Sequence, residues 1–334
     1  MEDEYLSREK RGPRINALLE HFAAIALGDV QKPTTKVTPD AVFVAADPRR
    51  ASYAAMLDRN IGTFNNHAFA SIPFFIEETI RLGIAISDYS LRKGATREKP
   101  LTFWSTSSAD ASHARTLAEY ADGKIMTLSD TPNNENRAEF NRLLTHAFSH
   151  LCVAPYFEIT KNSVRERIPS FPINNGFDIV WEDTTFQMYS NNRDGQIAHI
   201  KEQLKPDGLA IVFEKVTNDS QADYLLNEYN KDLYFKSKYF SPNDILKKER
   251  DILKDMYNGQ VTEEQLIVAL QHQFSYVYKI WACGNFIEFV ASDNKENIEH
   301  FLACLLGVPY TPEEVAGQYA ISTPQDVSSH HSEL

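Results

Sequence analysis

The sequence predicts an α/β fold with a largely parallel sheet, and two segments carry this prediction. Residues 177–215 encode a strand–helix–strand unit, in which an apolar run, a segment with helical spacing of apolar residues and a second apolar run at 209–213 follow one another. Such a unit places its two strands parallel with a right-handed crossover, and ligands bind beyond the carboxyl ends of such strands. Residues 275–291 form two β-rich runs around Gly284 and Asn285, which predicts a terminal antiparallel hairpin.

The part of the chain before the sheet is predicted to be helical. Ile15, Leu18 and Phe22 fall on one apolar stripe with helical spacing, and Ile76 belongs to a later stripe of the same kind. This zone supplies no strand to the sheet. We therefore expect residues 1–95 to form a helical cap or lid placed before the core.

The predicted core covers residues 96–322 and alternates short apolar runs with helical patterns, as is typical of a parallel sheet covered by helices. A charged, tyrosine-rich helical insertion at about 218–273 separates the strand–helix–strand unit from the hairpin. The polar residues 323–334 are expected to form a disordered tail. The predicted elements of the first half are a strand at 101–104, a helix from about 111 to 121, a strand at 125–128, a helix at 136–148 and a strand at 150–153.

Composition and charge exclude several classes of protein. The 334 residues include 43% hydrophobic and 11% aromatic side chains, enough for a substantial core. The formal net charge of −12 offers no electrostatic footprint to a phosphate backbone, so no nucleic-acid partner is expected. No apolar run is long enough to cross a bilayer, and residues 1–14 are charged, so we expect a soluble cytoplasmic protein without a membrane partner. The histidines and cysteines lack metal-ligand spacing, and no metal site is expected.

The strand–helix–strand unit at residues 177–215 contains the most specific motif in the chain. Its first strand stops at Glu182 and Asp183, and residues 204–214 read L-K-P-D-G-L-A-I-V-F-E. This combination resembles the second half of class I S-adenosylmethionine (SAM) dependent methyltransferases. The resemblance implies a Rossmann-like sheet with a C-terminal antiparallel hairpin, SAM as the cofactor and a small molecule as the substrate. The predicted terminal hairpin agrees with the resemblance independently of the motif.

The resemblance also implies which residues bind SAM. Family members hold the ribose hydroxyls with an acid at the end of the second strand, and Asp130 occupies that position, although a cap on the following helix is the alternative. The methionine part of SAM lies against the turn that follows the first strand. The candidate cofactor-binding residues are Trp104, Ser105, Thr106, Ser107, Asp110, Asp130, Thr131, Trp181 and Glu182.

The first turn departs from the family pattern. Family members have a Gly-rich turn, whereas this chain has no glycine between Gly94 and Gly123 and reads W-S-T-S-S-A-D over residues 104–110. Small side chains still permit close approach of a ligand, and hydroxyls at a helix N-terminus can bind a carboxylate. A backbone that needs positive φ would be strained without glycine. Three interpretations stay open: a tolerated variant turn, SAM bound in an altered pose, or a fold that has lost SAM binding.

The residues after the predicted strand at 177–181 are where the family places groups that face the transferred carbon. Either of the two carboxylates there can bind the amino group of SAM or deprotonate an acceptor, and a cap on the following loop is the alternative for each. Aromatic residues of this segment and of the cap can surround a sulfonium through cation–π contacts, although such residues more often belong to a core. The candidate catalytic residues are Glu182, Asp183 and Tyr189, and the candidate substrate or lid residues are Phe64, Asn66, His67, Phe75, Thr184 and Phe186.

The expected activity is methyl transfer from SAM to a small molecule in specialised metabolism. Because the first turn is atypical, attack on the aminocarboxypropyl chain of SAM stays open, for example its cyclisation to azetidine-2-carboxylate with release of methylthioadenosine. A catalytically silent binding protein with the methyltransferase fold is the third alternative. The sequence also leaves open whether the apolar cap helices pack on the core or form a homodimer.

Overall fold

The computed structural model describes residues 13–305, 307, 309–312, 315, 321 and 323–329, without the side chains of residues 13–17 and 254–255. The predictions for residues 1–12 and 330–334 lie outside the described residues. Within the described part of the chain, no helix is both long enough and apolar enough to cross a membrane.

Eight strands of the described chain form one sheet in the order β3-β2-β1-β4-β5-β7-β6-β8. The first five strands are parallel, while β7 runs antiparallel to β5, and β6 and β8 continue the antiparallel part. The strands are β1 (Leu101–Thr106), β2 (Ile125–Thr131), β3 (Ser149–Val153), β4 (Phe177–Asp183), β5 (Leu204–Lys215), β6 (Tyr276–Cys283), β7 (Phe286–Ser292) and β8 (Gln325–Asp326).

Helices precede the sheet and cover both of its faces. Those before β1 are α1 (Pro13–Leu27), α2 (Ala41–Ala45), α3 (Pro48–Asn60), α4 (Thr63–Ser71) and α5 (Phe75–Arg92). Those that connect the parallel strands are α6 (Ser112–Tyr120), α7 (Asn136–Leu143), α8 (Lys161–Arg167) and α9 (Arg193–Gln203). Those after β5 are α10 (Gln221–Asn230), α11 (Pro242–Lys248), α12 (Lys254–Tyr257), α13 (Glu263–Gln273) and α14 (Lys295–Leu302).

The apolar strands divide their side chains between two cores. Since successive side chains of a strand point to opposite faces, Phe103 joins the core on the side of α5 and α6, and Trp104 joins the opposite core. In β5, Ile211 and Val212 divide between the two cores in the same way. Burial on both faces explains why these strands appear in the sequence as continuous apolar runs.

The predicted fold class is confirmed. Five parallel strands with an antiparallel hairpin, whose second strand β7 inserts between β5 and β6, form the Rossmann-like sheet of class I methyltransferases. Five helices of the described chain precede β1, where the helical cap is predicted.

The structure differs from the sequence prediction in its less regular parts. The tail is not disordered throughout, because Gln325 and Asp326 pair with Lys279 and Tyr278 of β6. The segment between β3 and β4, for which the sequence predicts no helix or strand, contains α8, whose first turn is stabilised by a capping box formed by Thr160 and Ser163. Polar, proline-containing sequence concealed both elements, since neither has an apolar period of its own.

Candidate functional site

A first cavity lies at the carboxyl ends of β1, β2 and β4. Cap helices α1 and α4 cover it with Phe22 and Phe64. Its volume of about 60 Å³ is far below the ~300 Å³ of a typical ligand site, so a large ligand can enter only when the cap helices move outward. The cavity brings together these predicted site residues: Phe64, Ser107, Thr131, Asp183, Thr184 and Tyr189.

The turn after β1 adopts the left-handed backbone that glycine would favour. Ser107, Ala109 and Ala111 have φ angles of 43°, 50° and 59°. A left-handed conformation costs a non-glycine residue roughly 1–2 kcal/mol, so the turn stores strain. The turn expected from glycine-rich relatives is therefore present without the glycines, and Ser107 and Ala109 line the cavity.

Asp130 stabilises this strained turn from within the protein. Its Oδ1 accepts a hydrogen bond from Trp104 Nε1 at 2.7 Å, and its Oδ2 accepts one from the Ser107 backbone N–H at 3.0 Å. Burial raises the pKa of Asp130 to about 7, although these donors oppose the shift. The side chain predicted to bind ribose thus has both oxygens engaged by the protein. The polar residues that follow it, Thr131 and Asn133, line the cavity instead.

Asp110 and its neighbours hold the cap against the first turn. The buried Asp110 carboxylate accepts a hydrogen bond from the Asn65 backbone N–H at 2.9 Å, and Ser112 Oγ accepts one from the Gly62 N–H at 2.9 Å. A Cβ added to Gly62 would lie 2.6 Å from the Asp110 carboxyl carbon, so only glycine permits this approach. Asp110, predicted to bind the cofactor, does not line the cavity and instead positions α4 above it.

The two adjacent carboxylates at the end of β4 lie on opposite sides of the sheet. Glu182 Oε1 accepts hydrogen bonds from the backbone of Thr185 and Phe186, so this side chain caps the loop after the strand. Burial and the neighbouring Glu214 raise the pKa of Glu182. Asp183 lines the first cavity, and burial raises the pKa of its carboxyl group to about 7. Asp183 is therefore the acid of this pair that a ligand can reach.

Several predicted site residues belong to the protein core. Trp181 packs against His113, with ring centroids 4.5 Å apart, and Phe75 stacks on Phe213 at 4.6 Å. Asn66 Oδ1 accepts a hydrogen bond from the Val37 N–H and so braces the cap loop. The residues that the structure places outside the first cavity are Trp104, Ser105, Thr106, Asp110, Asp130, Trp181, Glu182, Asn66, His67, Phe75 and Phe186.

The polar lining of the first cavity is compatible with SAM. Among the described residues, none provides a hydrogen-bond partner for the buried Ser108 Oγ or Asn136 Oδ1. Burial accounts for the raised pKa of Asp183, and no donor among the described residues offsets it. Hydroxyl and amide oxygens suit ribose and amino groups, and a carboxylate suits a cation. SAM carries all of these partner groups.

A second cavity, of about 110 Å³, adjoins the first. His67 lines only the second, and the two cavities share a common wall formed by Phe22, Phe64, Ala68, Ile72, Thr184 and Met188. The sequence analysis did not identify the lysines of the second cavity, Asn136 of the first cavity, or Met188, which lines both. One signal was available for Lys215. It ends the apolar strand β5, just as the two carboxylates end the apolar strand β4, and such strand ends usually lie near a site.

Comparisons with known proteins give structural likeness at low identity. The chain is similar to the plantazolicin methyltransferase BpumL in complex with a pentazolic desmethylPZN analog and SAH, with 10% identity, a TM-score of 0.46 and coverage of 85% of this chain and 100% of that one. It is also similar to an O-methyltransferase family protein from Burkholderia thailandensis, with 11% identity, a TM-score of 0.39 and coverage of 66% and 58%. No family model and no curated protein matches the chain. Identities and TM-scores this low assign neither an activity nor a ligand to it.

Proposed function

We propose that this protein is a SAM-dependent methyltransferase that acts on a small molecule in specialised metabolism. The observation that carries the proposal is the pair of adjoining cavities at the carboxyl edge of a class I methyltransferase sheet. The first cavity has the polar lining that SAM needs. The second lies on the other side of the shared wall of Phe64, Thr184 and Met188, and an acceptor can occupy it once the cap helices that line both cavities move outward.

The described residues supply binding, orientation and exclusion of water. When bound, SAM would supply an activated methyl group for transfer to the acceptor, with a neutral thioether as the leaving group. Asp183 would hold the cationic part of the cofactor, while Ser108 and Asn136 would hold its polar groups. Phe22 and Phe64 cover the cavity and exclude water, which strengthens the attraction between Asp183 and the cation. Reactants held in this way need little further activation.

The second cavity also bears on the alternative activity. Cyclisation of SAM needs only one ligand site, whereas transfer to an acceptor needs two, and the adjoining cavities support transfer. A silent binding protein would not need a buried carboxylate that faces a cavity.

The test is incubation of the full-length protein with SAM, alone and together with cell extract, followed by mass spectrometry of the nucleoside product. S-adenosylhomocysteine formed only with extract supports the proposal. Methylthioadenosine would instead indicate attack on the aminocarboxypropyl chain. If calorimetry showed no SAM binding and no nucleoside product formed, the proposal would be wrong.

A further inference from the structure

The second cavity is lined by four lysines and by no carboxylate among the described residues. Lys215, Lys231, Lys236 and Lys248 all contribute to its wall, and none of the lining residues in the described chain is Asp or Glu. Lys215, Lys231 and Lys236 are at most 6% exposed. Lysine side chains rarely withdraw from water in this way unless an anion compensates them.

The carboxylates that pair with these lysines lie behind the wall and are too few. Glu228 accepts from Lys215 at 2.8 Å and lies 3.2 Å from Lys231. Asp232 pairs with Lys231 and Lys236, at 2.7 Å from each. Nearby positive charges lower the pKa of both carboxyl groups, so both are ionised. Two negative charges thus face four lysines in this cluster.

Lys248 has no acidic partner among the described residues. Its Nζ lies 2.7 Å from His67 Nε2 and 2.8 Å from Ser71 Oγ. His67 Nδ1 lies 3.0 Å from the Gln31 carbonyl oxygen, to which it donates, so Nε2 accepts from Lys248. Both partners of Lys248 are neutral groups, so they orient its amine without supplying a negative charge.

We propose that the second cavity binds the methyl acceptor through an anionic group, a carboxylate or a phosphate, held by Lys248 and Lys236. The apolar part of the acceptor packs against Phe22, Ile252 and Phe286, which line the same cavity. This inference deepens the proposed function and depends on it only where the ligand is identified as the methyl acceptor. The binding of the anion itself does not depend on SAM.

The lysine cluster predicts that the anion enters together with a proton. Burial and repulsion from neighbouring lysines lower the pKa of Lys248, and the same causes lower the pKa of Lys236 to about 8. An anion beside them favours the charged amines and therefore raises both pKa values. The titratable groups that face Lys248 are Lys215, Lys231, Lys236, His67, His21 and Asp232.

The experiment is calorimetric titration of the full-length protein with octanoate, with octyl phosphate and with uncharged octanol. The titrations are made at about pH 8 in buffers of different ionisation enthalpy, which reveals proton uptake. We expect at least one of the two anions to bind with proton uptake and octanol to bind weakly. The stronger of the two anions identifies the head group. The substitution Lys248→Met is expected to weaken anion binding by at least about tenfold, as for loss of a charged hydrogen bond, and to reduce proton uptake.

The matched control is Lys247→Met, because Lys247 is an exposed neighbour on the same helix. It is expected to leave anion affinity unchanged. Lys236→Met gives a second, independent test, and thermal melts establish that each variant is folded. Equal affinity for octanol and both anions, or unchanged binding in both cavity variants, would overturn the inference. Anion binding that depends on Lys248 in a protein that does not bind SAM would uphold it and refute only the proposed methyl transfer.

Discussion

At the scale of single residues, the two carboxylates at the end of β4 show that a shift of one position along a strand changes the role of a side chain. Glu182 turns toward the backbone of Thr185 and Phe186, and Asp183 turns toward the first cavity. The alternation of side chains along a strand separates them, although their chemistry is nearly the same. The presence of two adjacent acids in the sequence does not show which of them faces the cavity.

The first prediction concerns cofactor affinity and pH. Because burial raises the pKa of Asp183 to about 7, its carboxyl group is largely neutral below this pH and charged above it. We expect SAM affinity of the wild type to rise between about pH 5.5 and 7.5, and Asp183→Asn to remove this rise and weaken binding. Isothermal titration calorimetry across this range measures both effects. The control is Asp194→Asn, at a carboxylate with 62% exposure, which should leave the pH profile intact.

The second prediction concerns stability at the same residue. The pKa of Asp183 is raised on folding, so the folded state binds its proton more tightly and the contribution to the free energy of unfolding falls as pH rises from about 4 to about 7. Asp183→Asn has no ionisable group at this position, so the decrease in the free energy of unfolding that Asp183 causes with rising pH is absent in the variant. We expect its melting temperature to exceed that of the wild type by at least about 2 °C near pH 8, with no such gain near pH 4. An equal difference at both pH values would contradict the burial of a charged carboxylate at this site.

At the scale of elements, the first turn is a strained connection held in place by its surroundings. Its left-handed residues cost free energy, and the hydrogen bonds from Trp104 and Ser107 to Asp130 stabilise the same turn. The small side chain of Ala109 lets the turn line the first cavity, as a glycine-rich turn would. Sequence reasoning recognised the strain but could not decide whether the turn would still form.

The third prediction tests this strain. Ala109 has a φ of 50°, whereas Ala118 lies in the body of α6, where glycine costs roughly 1 kcal/mol. Ala109→Gly relieves the left-handed backbone, so we expect the free energy of unfolding of this variant to exceed that of Ala118→Gly by at least about 1 kcal/mol. Urea denaturation monitored by circular dichroism gives both values. Equal losses in the two variants would show that the turn is unstrained.

At the scale of the whole molecule, the cap and the sheet are joined by buried polar groups as well as by apolar packing. Arg81 of α5 pairs with Glu78 at 2.6 Å and donates a hydrogen bond to the Ile280 carbonyl oxygen of β6 at 2.9 Å. Its side chain is 1% exposed. This contact fixes a cap helix against the antiparallel part of the sheet.

The fourth prediction compares two ion pairs of the same spacing. Arg81→Met leaves Glu78 as an unpaired charge in the core, and we expect a loss of about 3–5 kcal/mol in the free energy of unfolding. Arg142→Met breaks the corresponding pair with Glu139, but the Arg142 side chain is 63% exposed and solvent screens the pair, so the expected loss is much smaller. Chemical denaturation of both variants measures the contrast. Similar losses would show that burial does not govern the strength of these pairs.

The sequence by itself determined the parallel strands, the terminal hairpin and the edge of the sheet where the site lies. These features follow from the periodicity of apolar residues and from turn chemistry, which act over a few neighbouring residues. The pairing of β8 with β6 was hidden, because two polar residues on an edge carry no period. The helical insertion was recognised, but nothing in its sequence showed which of its lysines turn inward.

Only the tertiary structure decided which polar residues line a cavity. Asp130 and Glu182 were predicted to bind the cofactor. Donors from β1 and its turn engage both oxygens of Asp130, and the backbone of the following loop engages Oε1 of Glu182, whereas Asp183 and Asn136 face the cavity. The lysine cavity likewise unites β5 with the insertion and with His67 of the cap. Such groupings depend on contacts between residues far apart in the chain, and local sequence patterns do not encode the directions in which their side chains point.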